Sequence, residues 1–435
     1  MATQQVRSSV RTSDTVLVRL FGAWMVIVAF VFTQFVEFTI LEGGSLDLSL
    51  QKAVGLVVFP VAFTLMGYIR ISLLLISLAC LMLLANSAAY VVNFSFLDPE
   101  LLSANVSVLS GLFGATALYT ALTHWKGGFS VLGRVWAVFA VVTSIIVVGQ
   151  TFGLVPLWAV PSEELGYRIT EVGGLIRGTG LRLDPNYQAF VLVLGLVFTR
   201  FYITRMKSVF AVIIALGVVG TFSRMGLLAA FFVWITAPAF EALVRRKGWS
   251  ITFLKPLVTV ATLGLLLGGF HTLIPQSVQL YSEQRISDVS EAISYLAAGP
   301  STIPLTGTTS AENRMLLFIG ALTIFFQNGV FGVGANKTDD FMNAIIGIPA
   351  SVHNTYLEWL VVGGVLGVLT VVFYIAFIVR VLRQSSQAEK NASRKSFVLT
   401  FLFAFGLMAW FLTLNYNSIM WLPLVIALAH GKLST

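Results

Sequence analysis

Arg224 is the residue that fits its surroundings least well. It lies in the segment TFSRMG at residues 221–226, between two strongly apolar stretches. Placing a guanidinium within the hydrocarbon layer of a membrane costs at least a few kcal/mol of free energy, so the group needs a partner or a bound anion. Arginine suits phosphate because its planar fork donates two parallel hydrogen bonds and keeps its charge. Arg224 is therefore a candidate anion-binding residue, with Ser223 beside it. An arginine that only reaches lipid headgroups is the alternative.

A second candidate is His353, in the segment PASVHNTYLEWLVVGGVLG at residues 349–367. Pro349 and Ser351 predict a helix start with Ser351 as N-cap, so that His353 and Asn354 lie in the first turn. The positive end of the helix dipole favours the neutral imidazole, which is the form that accepts a proton. His353 is thus a candidate general base. The alternative is a structural histidine that only forms hydrogen bonds.

Other candidates lie where polar segments meet apolar runs. The segment RGTGLRLDPNYQAF at residues 177–190 contains Arg182 and Asn186, AENRMLLF contains Arg314, and Arg285 stands alone in a polar segment. Each arginine can bind a phosphate, contact lipid headgroups or face solvent, and the local sequence leaves these alternatives open.

The helices that position these residues must cross a membrane. Of 435 residues, 57% are hydrophobic and only 11% are charged, and the mean hydropathy is +0.89, which exceeds what a soluble core accommodates. The uniformly apolar runs exclude a membrane β-barrel, whose strands alternate apolar and polar residues. The sequence predicts an all-α, polytopic integral membrane protein of about twelve transmembrane helices. The predicted runs are 17–37, 53–69, 71–92, 101–122, 131–155, 184–203, 208–220, 226–241, 252–272, 354–379, 396–414 and 417–431.

The distribution of charge predicts the side on which each loop lies. With a cytoplasmic N-terminus, most of the 27 Lys and Arg residues fall in cytoplasmic segments, as the positive-inside rule requires. Both termini are then cytoplasmic, and a smaller loop at 156–183 and a large loop at 273–352 face outward. The large loop is expected to contain helices, one of them along the interface at 276–296. We predict one membrane domain over residues 1–435, and the net charge of +8 does not indicate a nucleic-acid partner.

Familiar cofactor and metal motifs are absent. The sequence contains no GxxxxGK[ST] phosphate loop, no HExxH motif and no Cys/His group with zinc spacing. Asp339 and Asp340 are adjacent acids without a third ligand nearby, which favours a solvated turn. We therefore expect no cofactor and no metal.

Four stretches together resemble the O-antigen ligase and polymerase family of bacterial envelope enzymes. They are GLRLDPNYQAF, TFSRMG, NRMLLFIGALTIFFQNGVFGVGANK and HNTYLEWLVVGGVLG. The last fits the ligase pattern of His, then Asn, Ser or Gln, then nine residues, then G-x-x-G, with His353, Asn354, Gly364 and Gly367 in those places. These glycines and Gly363 are also expected to let a neighbouring helix approach closely. The resemblance covers residues 175–375.

The resemblance implies a GT-C-like, metal-independent, inverting glycosyltransferase at the periplasmic face of the bacterial inner membrane. Members of the family take a glycan from undecaprenyl diphosphate. Ligases pass it to a sugar hydroxyl of lipid A-core, and polymerases pass it to another repeat unit. The implied partners are this lipid-linked donor, lipid A-core and membrane lipids.

The same resemblance suggests a role for each candidate residue. His353 becomes the general base, Arg224 and Arg314 bind the diphosphate, Arg285 and Arg182 are weaker diphosphate candidates, and Ser223, Asn186 and Asn354 support the site. We favour an O-antigen ligase because the histidine motif matches in full. The alternatives are an O-antigen or exopolysaccharide polymerase that uses the same donor, and a polytopic transporter or lipid flippase.

Overall fold

The computed structural model describes residues 2–41, 48–93, 98–125, 127–157, 171–172, 175–244, 310–384, 392–414 and 417–434. Within these ranges the chain is mostly α-helical, which confirms the prediction of a helical membrane protein. The described strands are short antiparallel pairs, β1 (Thr39–Leu41) with β2 (Leu48–Ser49) and β3 (Glu171–Val172) with β4 (Leu175–Ile176). Three predicted features lie outside the described residues: the run 252–272, the interfacial helix at 276–296 and its Arg285.

The helices follow in chain order. They are α1 (Ala2–Phe35), α2 (Leu50–Ala53), α3 (Phe59–Met66), α4 (Leu73–Asn93), α5 (Pro99–His124), α6 (Gly128–Thr151), α7 (Pro185–Tyr202), α8 (Lys207–Gly220), α9 (Arg224–Val244), α10 (Ser310–Asn328), α11 (Thr338–Ile346), α12 (Thr355–Gln384), α13 (Ala392–Ala409) and α14 (Leu422–Ser434). A π-helical turn, Val54–Val58, joins α2 to α3, and a 3₁₀ turn, Ser418–Trp421, precedes α14.

Six of the described helices contain a segment that is long and apolar enough to cross a membrane. These segments are Thr15–Phe35, Leu73–Val91, Pro99–His124, Gly128–Thr151, Arg224–Val244 and Thr355–Arg380. Shorter apolar helices occupy Leu50–Met66, Lys207–Gly220 and Ser418–His430, below the roughly 20 residues that a span normally needs. Every predicted run within the described residues overlaps a helix, but the number of twelve spans stays a prediction.

The outer faces of these helices remain apolar. Leu73 is 79% exposed, Val57 62% and Ile145 59%. A soluble monomer rarely exposes so much large apolar surface, whereas a lipid-facing helix requires it.

The buried core centres on α7. Phe190 and Phe198 of α7 are fully buried and pack against aromatic residues of neighbouring helices, including Trp136 of α6 and Phe401 of α13. The Trp136 indole donates a hydrogen bond to the carbonyl oxygen of Val191, 3.0 Å away, so its polar atom has a partner within the apolar core. Because α7 is held in this way, its first turn is a rigid support for the residues before it.

Two ion pairs among the described residues each join segments that the charge pattern assigns to the same side of the membrane. Arg200 lies 3.3 Å from Glu241, both in predicted cytoplasmic segments. Lys337 lies 2.9 Å from Glu100, both in predicted outward-facing segments. These pairs support the predicted alternation of the loops.

Helix α12 is interrupted at Gly364, whose φ of 53° and ψ of −129° are not helical. The carbonyls of Val361 and Val362 instead accept hydrogen bonds from the N–H groups of Val333 and Gly334, each at 3.0 Å. A Cβ at Gly364 would lie 2.6 Å from the carbonyl oxygen of Gly329, so glycine is required by both conformation and space. The predicted approach of a neighbouring helix is therefore wrong for Gly364, because its neighbour is an irregular backbone segment.

Gly363, in contrast, confirms that prediction. A Cβ added there would lie 2.6 Å from the Cβ of Ala85 in α4. The absence of a side chain thus allows α4 and α12 to pack closely.

Candidate functional site

Arg224 lies at the start of α9, directly after a three-residue turn from α8. The hydroxyl of Ser223 accepts a hydrogen bond from the Gly226 N–H at 3.2 Å, and that of Thr221 accepts one from the Ser223 N–H at 3.2 Å. Ser223 is therefore the N-cap of α9, and its buried side chain supports the turn. This turn agrees with the predicted break between the runs 208–220 and 226–241, although α9, with 21 residues, is longer than the predicted run.

The loop before α7 is fastened to this turn. The Gly178 N–H donates to the carbonyl oxygen of Gly220 at 3.0 Å. Nε of Arg177 donates to the carbonyl oxygen of Thr221 at 3.2 Å, and an Arg177 Nη donates to Oδ1 of Asn186 at 3.2 Å. Arg177 thus lies beside the turn that presents Arg224.

The first turn of α7 completes this side of the site. Asp184 is the N-cap, and its Oδ1 accepts a hydrogen bond from the Asn186 N–H at 2.8 Å. Through its side chain Asn186 also orients Arg177. A supporting position for Asn186 therefore agrees with the geometry, but the guanidinium it contacts belongs to Arg177, which the sequence did not single out as a phosphate ligand.

Arg314 is the third arginine of this group. Its side chain is accessible on α10, and its pKa is lowered by partial desolvation and by the positive charges of Arg224 and Arg177, against the opposing charge of Asp184. An arginine stays protonated despite such a shift. The positive charges of Arg224 and Arg177 thus act on Arg314, and a bound anion would offset the repulsion among the three guanidiniums.

We refer to Arg177, Arg224, Arg314 and Asp184 as the arginine cluster. Three positive charges and one negative charge leave it with a formal charge of +2. Arg177 and Arg224 are partly buried and Arg314 is accessible. A formal charge of +2 matches a ligand with two negative charges. Because the cluster is partly desolvated, the Coulomb attraction between it and such a ligand is stronger than in bulk water.

Arg182 occupies a different environment from the one predicted. Its side chain is 4% exposed, and its two Nη atoms contact Oε2 of Glu37 at 3.1 Å and the carbonyl oxygen of Gln34 at 2.6 Å. The guanidinium also stacks 3.6 Å from the Tyr187 ring centroid. These contacts hold Arg182 between α1 and α7 and favour a structural role, and its assignment as a weaker diphosphate candidate stays a prediction.

The loop before α12 differs from its predicted form. Oδ1 of Asn354 accepts hydrogen bonds from the N–H groups of Tyr356 and Leu357, at 3.0 and 3.1 Å. Asn354 is therefore the N-cap, and the predicted cap at Ser351 is wrong. His353 lies before the helix rather than in its first turn.

His353 is exposed and has a φ of 52°. This left-handed conformation is uncommon for residues other than glycine, although histidine is among those that adopt it more readily. The imidazole is accessible at the positive end of α12, which agrees with the predicted location near a helix N-terminus.

Arg314 and His353 lie on elements that pack together. Leu317 of α10, one turn after Arg314, belongs to a buried apolar cluster with Val352, the residue before His353. Met342 of α11 completes the same cluster. The cluster therefore connects the helix that carries Arg314 to the loop that carries His353.

The described residues contain no group of three or more His, Cys, Asp or Glu side chains that could hold a metal ion. Asp339 and Asp340 lie in the first turn of α11, where negative charge is favourable beside the helix N-terminus. The absence of a cofactor stays a prediction.

Comparison with known proteins identifies the part of the chain that contains most of this site. No curated protein matches the sequence. Residues 209–372 match the model of the O-antigen ligase family, and this span includes Arg224, Arg314 and His353. Residues 209–372 are therefore similar to an O-antigen ligase domain, which confirms the resemblance over that part of the chain.

Proposed function

We propose that this protein is an O-antigen ligase, a glycosyltransferase that moves a glycan from undecaprenyl diphosphate to a sugar hydroxyl of lipid A-core. The observation that carries the proposal is the arginine cluster, which adjoins the α8–α9 turn. In this proposal the site faces the periplasm, in the inner membrane, where donor and acceptor meet.

The charge of the cluster supports a diphosphate as its ligand. A lipid-linked sugar diphosphate carries one negative charge on each phosphate, which balances the formal +2 of the cluster. When the glycosidic bond breaks, further negative charge develops on the departing phosphate oxygen. Positioned cations stabilise that charge in the transition state more than in the ground state, which is the requirement for catalysis.

The reaction we propose is one direct displacement. His353 removes the proton from the acceptor hydroxyl, the acceptor oxygen forms a bond to the anomeric carbon, and undecaprenyl diphosphate leaves with the bonding electron pair. Arg224 and Arg314 bind the diphosphate, and Arg177 joins them in place of Arg182. A single displacement inverts the anomeric carbon, and no metal is needed in this scheme.

A transporter is less well supported by the same geometry. The interruption of α12 at Gly364 resembles the broken helices of transporters, which bind ions or substrates with unwound backbone. Here the carbonyls of Val361 and Val362 accept hydrogen bonds from other backbone segments. These carbonyls are therefore engaged within the protein, as the packing of irregular backbone in a membrane requires.

The test is glycan transfer by the purified full chain in liposomes without an ion gradient. Transfer from undecaprenyl-diphosphate glycan to lipid A-core, unaffected by a metal chelator, is the expected result. Chain extension with the donor alone would instead identify a polymerase. No glycosidic product with either acceptor would refute the proposal.

A further inference from the structure

Glu358 is a buried carboxylate next to the proposed site, and sequence reasoning gave it no role. It lies in the first turn of α12 and is only 4% exposed. Oε1 accepts a hydrogen bond from the hydroxyl of Thr338 at 2.7 Å. Oε2 accepts one from the backbone N–H of Val352 at 3.2 Å. One carboxylate therefore joins the start of α11, the loop before α12 and α12 itself.

The burial of the Glu358 carboxylate is energetically unfavourable in itself. A buried carboxylate is costly unless its oxygens are hydrogen-bonded, and an apolar residue would fill the same space without that cost. A glutamate at this position is explained if the conformation of the loop depends on its two acceptors. Of the two groups that donate to Glu358, the Val352 N–H belongs to the residue directly before His353.

The contacts of Glu358 restrain the residue before His353. The N–H of Val352 is bound by Glu358, and its side chain is buried in the apolar cluster with Leu317. On the other side of His353, Asn354 is fixed as the N-cap of α12. His353 is thus an exposed residue in a left-handed conformation between two anchored neighbours.

We propose that Glu358 is a positioning residue that holds the loop so that His353 points its imidazole at the acceptor. This proposal rests on the function proposed for His353. Glu358 acts through Val352 and Thr338 and does not touch substrate. Loss of either acceptor oxygen should loosen the loop, while Arg177 and Arg224, which lie on elements that Glu358 does not contact, should keep their positions.

The test uses Glu358→Gln in the full chain, because glutamine keeps the size of the side chain but replaces one acceptor oxygen with a donor. We expect amide exchange of the peptide containing Val352 to become at least tenfold faster, measured by hydrogen–deuterium exchange mass spectrometry. We expect kcat to fall at least tenfold, with KM for the lipid-linked donor changed less than twofold. A residue needed only for folding would not produce this separation of kcat from KM.

Matched variants complete the design. Thr338→Val removes one hydrogen bond to Glu358 and should give a smaller effect of the same kind, and Thr338→Ser should restore wild-type behaviour because it keeps the hydroxyl. Glu241→Gln is the control. Glu241 pairs with Arg200, far from Glu358 in the chain, so this variant should change neither the amide exchange of the Val352 peptide nor kcat.

The outcomes separate this inference from the proposed function. Unchanged exchange of the Val352 peptide in Glu358→Gln would overturn the positioning role, whatever the activity. Faster exchange with unchanged kcat, in a protein whose His353→Asn variant is inactive, would also overturn it. A fully active His353→Asn variant would refute the proposed function of His353, and the exchange measurement would still decide whether Glu358 holds the loop.

Discussion

Arg177 donates a hydrogen bond from its Nε to the carbonyl oxygen of Thr221, 3.2 Å away, and so fastens the loop before α7 to the turn that presents Arg224. The two residues are 44 positions apart in the chain. This contact brings a second guanidinium to the α8–α9 turn, where the sequence predicted only that of Arg224. The Arg177 side of the arginine cluster therefore depends on packing between the loop before α7 and the α8–α9 turn.

The first prediction concerns topology. Cysteine labelling from outside should modify single cysteines placed in residues 273–352 and should not modify those in residues 380–395. The positive-inside distribution of Lys and Arg is the physical reason. The natural Cys80 is exposed and should be replaced first. Labelling of the large loop only after membrane permeabilisation would overturn the orientation, because donor and acceptor would then lie on the opposite side.

The second prediction concerns Arg224. Arg224→Lys keeps the charge but loses the bidentate fork, so we expect transfer to fall about 100-fold or more, the range seen when a positioned donor is lost from a charged transition state. Arg205→Lys is the control, because Arg205 is exposed between α7 and α8 and should tolerate the change. The measurement is the rate of glycan transfer in the same detergent. Near-normal activity of Arg224→Lys would show that Arg224 contributes only a positive charge or only contacts lipid headgroups.

The third prediction contrasts Arg177 with Arg182. Arg177→Gln should raise KM for the lipid-linked donor, because one cation of the cluster is lost. Arg182→Gln should leave KM nearly unchanged but lower the thermal midpoint, since Glu37 and the Gln34 carbonyl lose their partner. Breaking a buried ion pair costs about 3–5 kcal/mol of stability. Because the Glu37 side chain is 38% exposed, we expect the loss of stability in Arg182→Gln to be at or below the lower end of that range. The opposite pattern would restore Arg182 as the diphosphate ligand.

The fourth prediction concerns His353. His353→Asn is the informative variant, because asparagine tolerates the left-handed backbone and forms hydrogen bonds but is not a useful base. We expect transfer to fall by about 10²–10⁴-fold, the usual contribution of a general base. Wild-type activity should rise with pH as the imidazole loses its proton, because only the neutral form accepts one. An Asn variant that keeps most of its activity would leave the arginines as the remaining catalytic groups.

The fifth prediction concerns the interruption of α12. Gly364→Ala places a Cβ 2.6 Å from the Gly329 carbonyl oxygen and should lower the thermal midpoint strongly. Gly347→Ala is the matched control, since Gly347 also has a positive φ, of 72°, but a Cβ there meets nothing within 4 Å. It should cost only the conformational term, about 1–2 kcal/mol. Equal midpoints for the two variants would show that crowding at Gly364 is unimportant.

Some features of this protein followed from local sequence. Helix positions are set by runs of apolar residues, because a backbone in lipid must satisfy its own hydrogen bonds, and every predicted run within the described residues overlaps a helix. The turn at Ser223 was predictable because a charge interrupts an apolar stretch. The resemblance to the O-antigen ligase family was recognisable because the spacing from His353 to Gly367 is a property of the chain alone.

Other features required the tertiary structure. Arg177 and Arg182 are five residues apart in one loop, yet one borders the α8–α9 turn and the other is buried against Glu37. The partners that decide between them come from distant parts of the chain. The cap at Asn354, the contacts of Glu358 and the interruption at Gly364 likewise depend on groups outside the local segment. Hydropathy and spacing describe how a segment meets lipid and water, whereas a polar atom inside the bundle takes its role from the partner that packing brings within hydrogen-bonding distance.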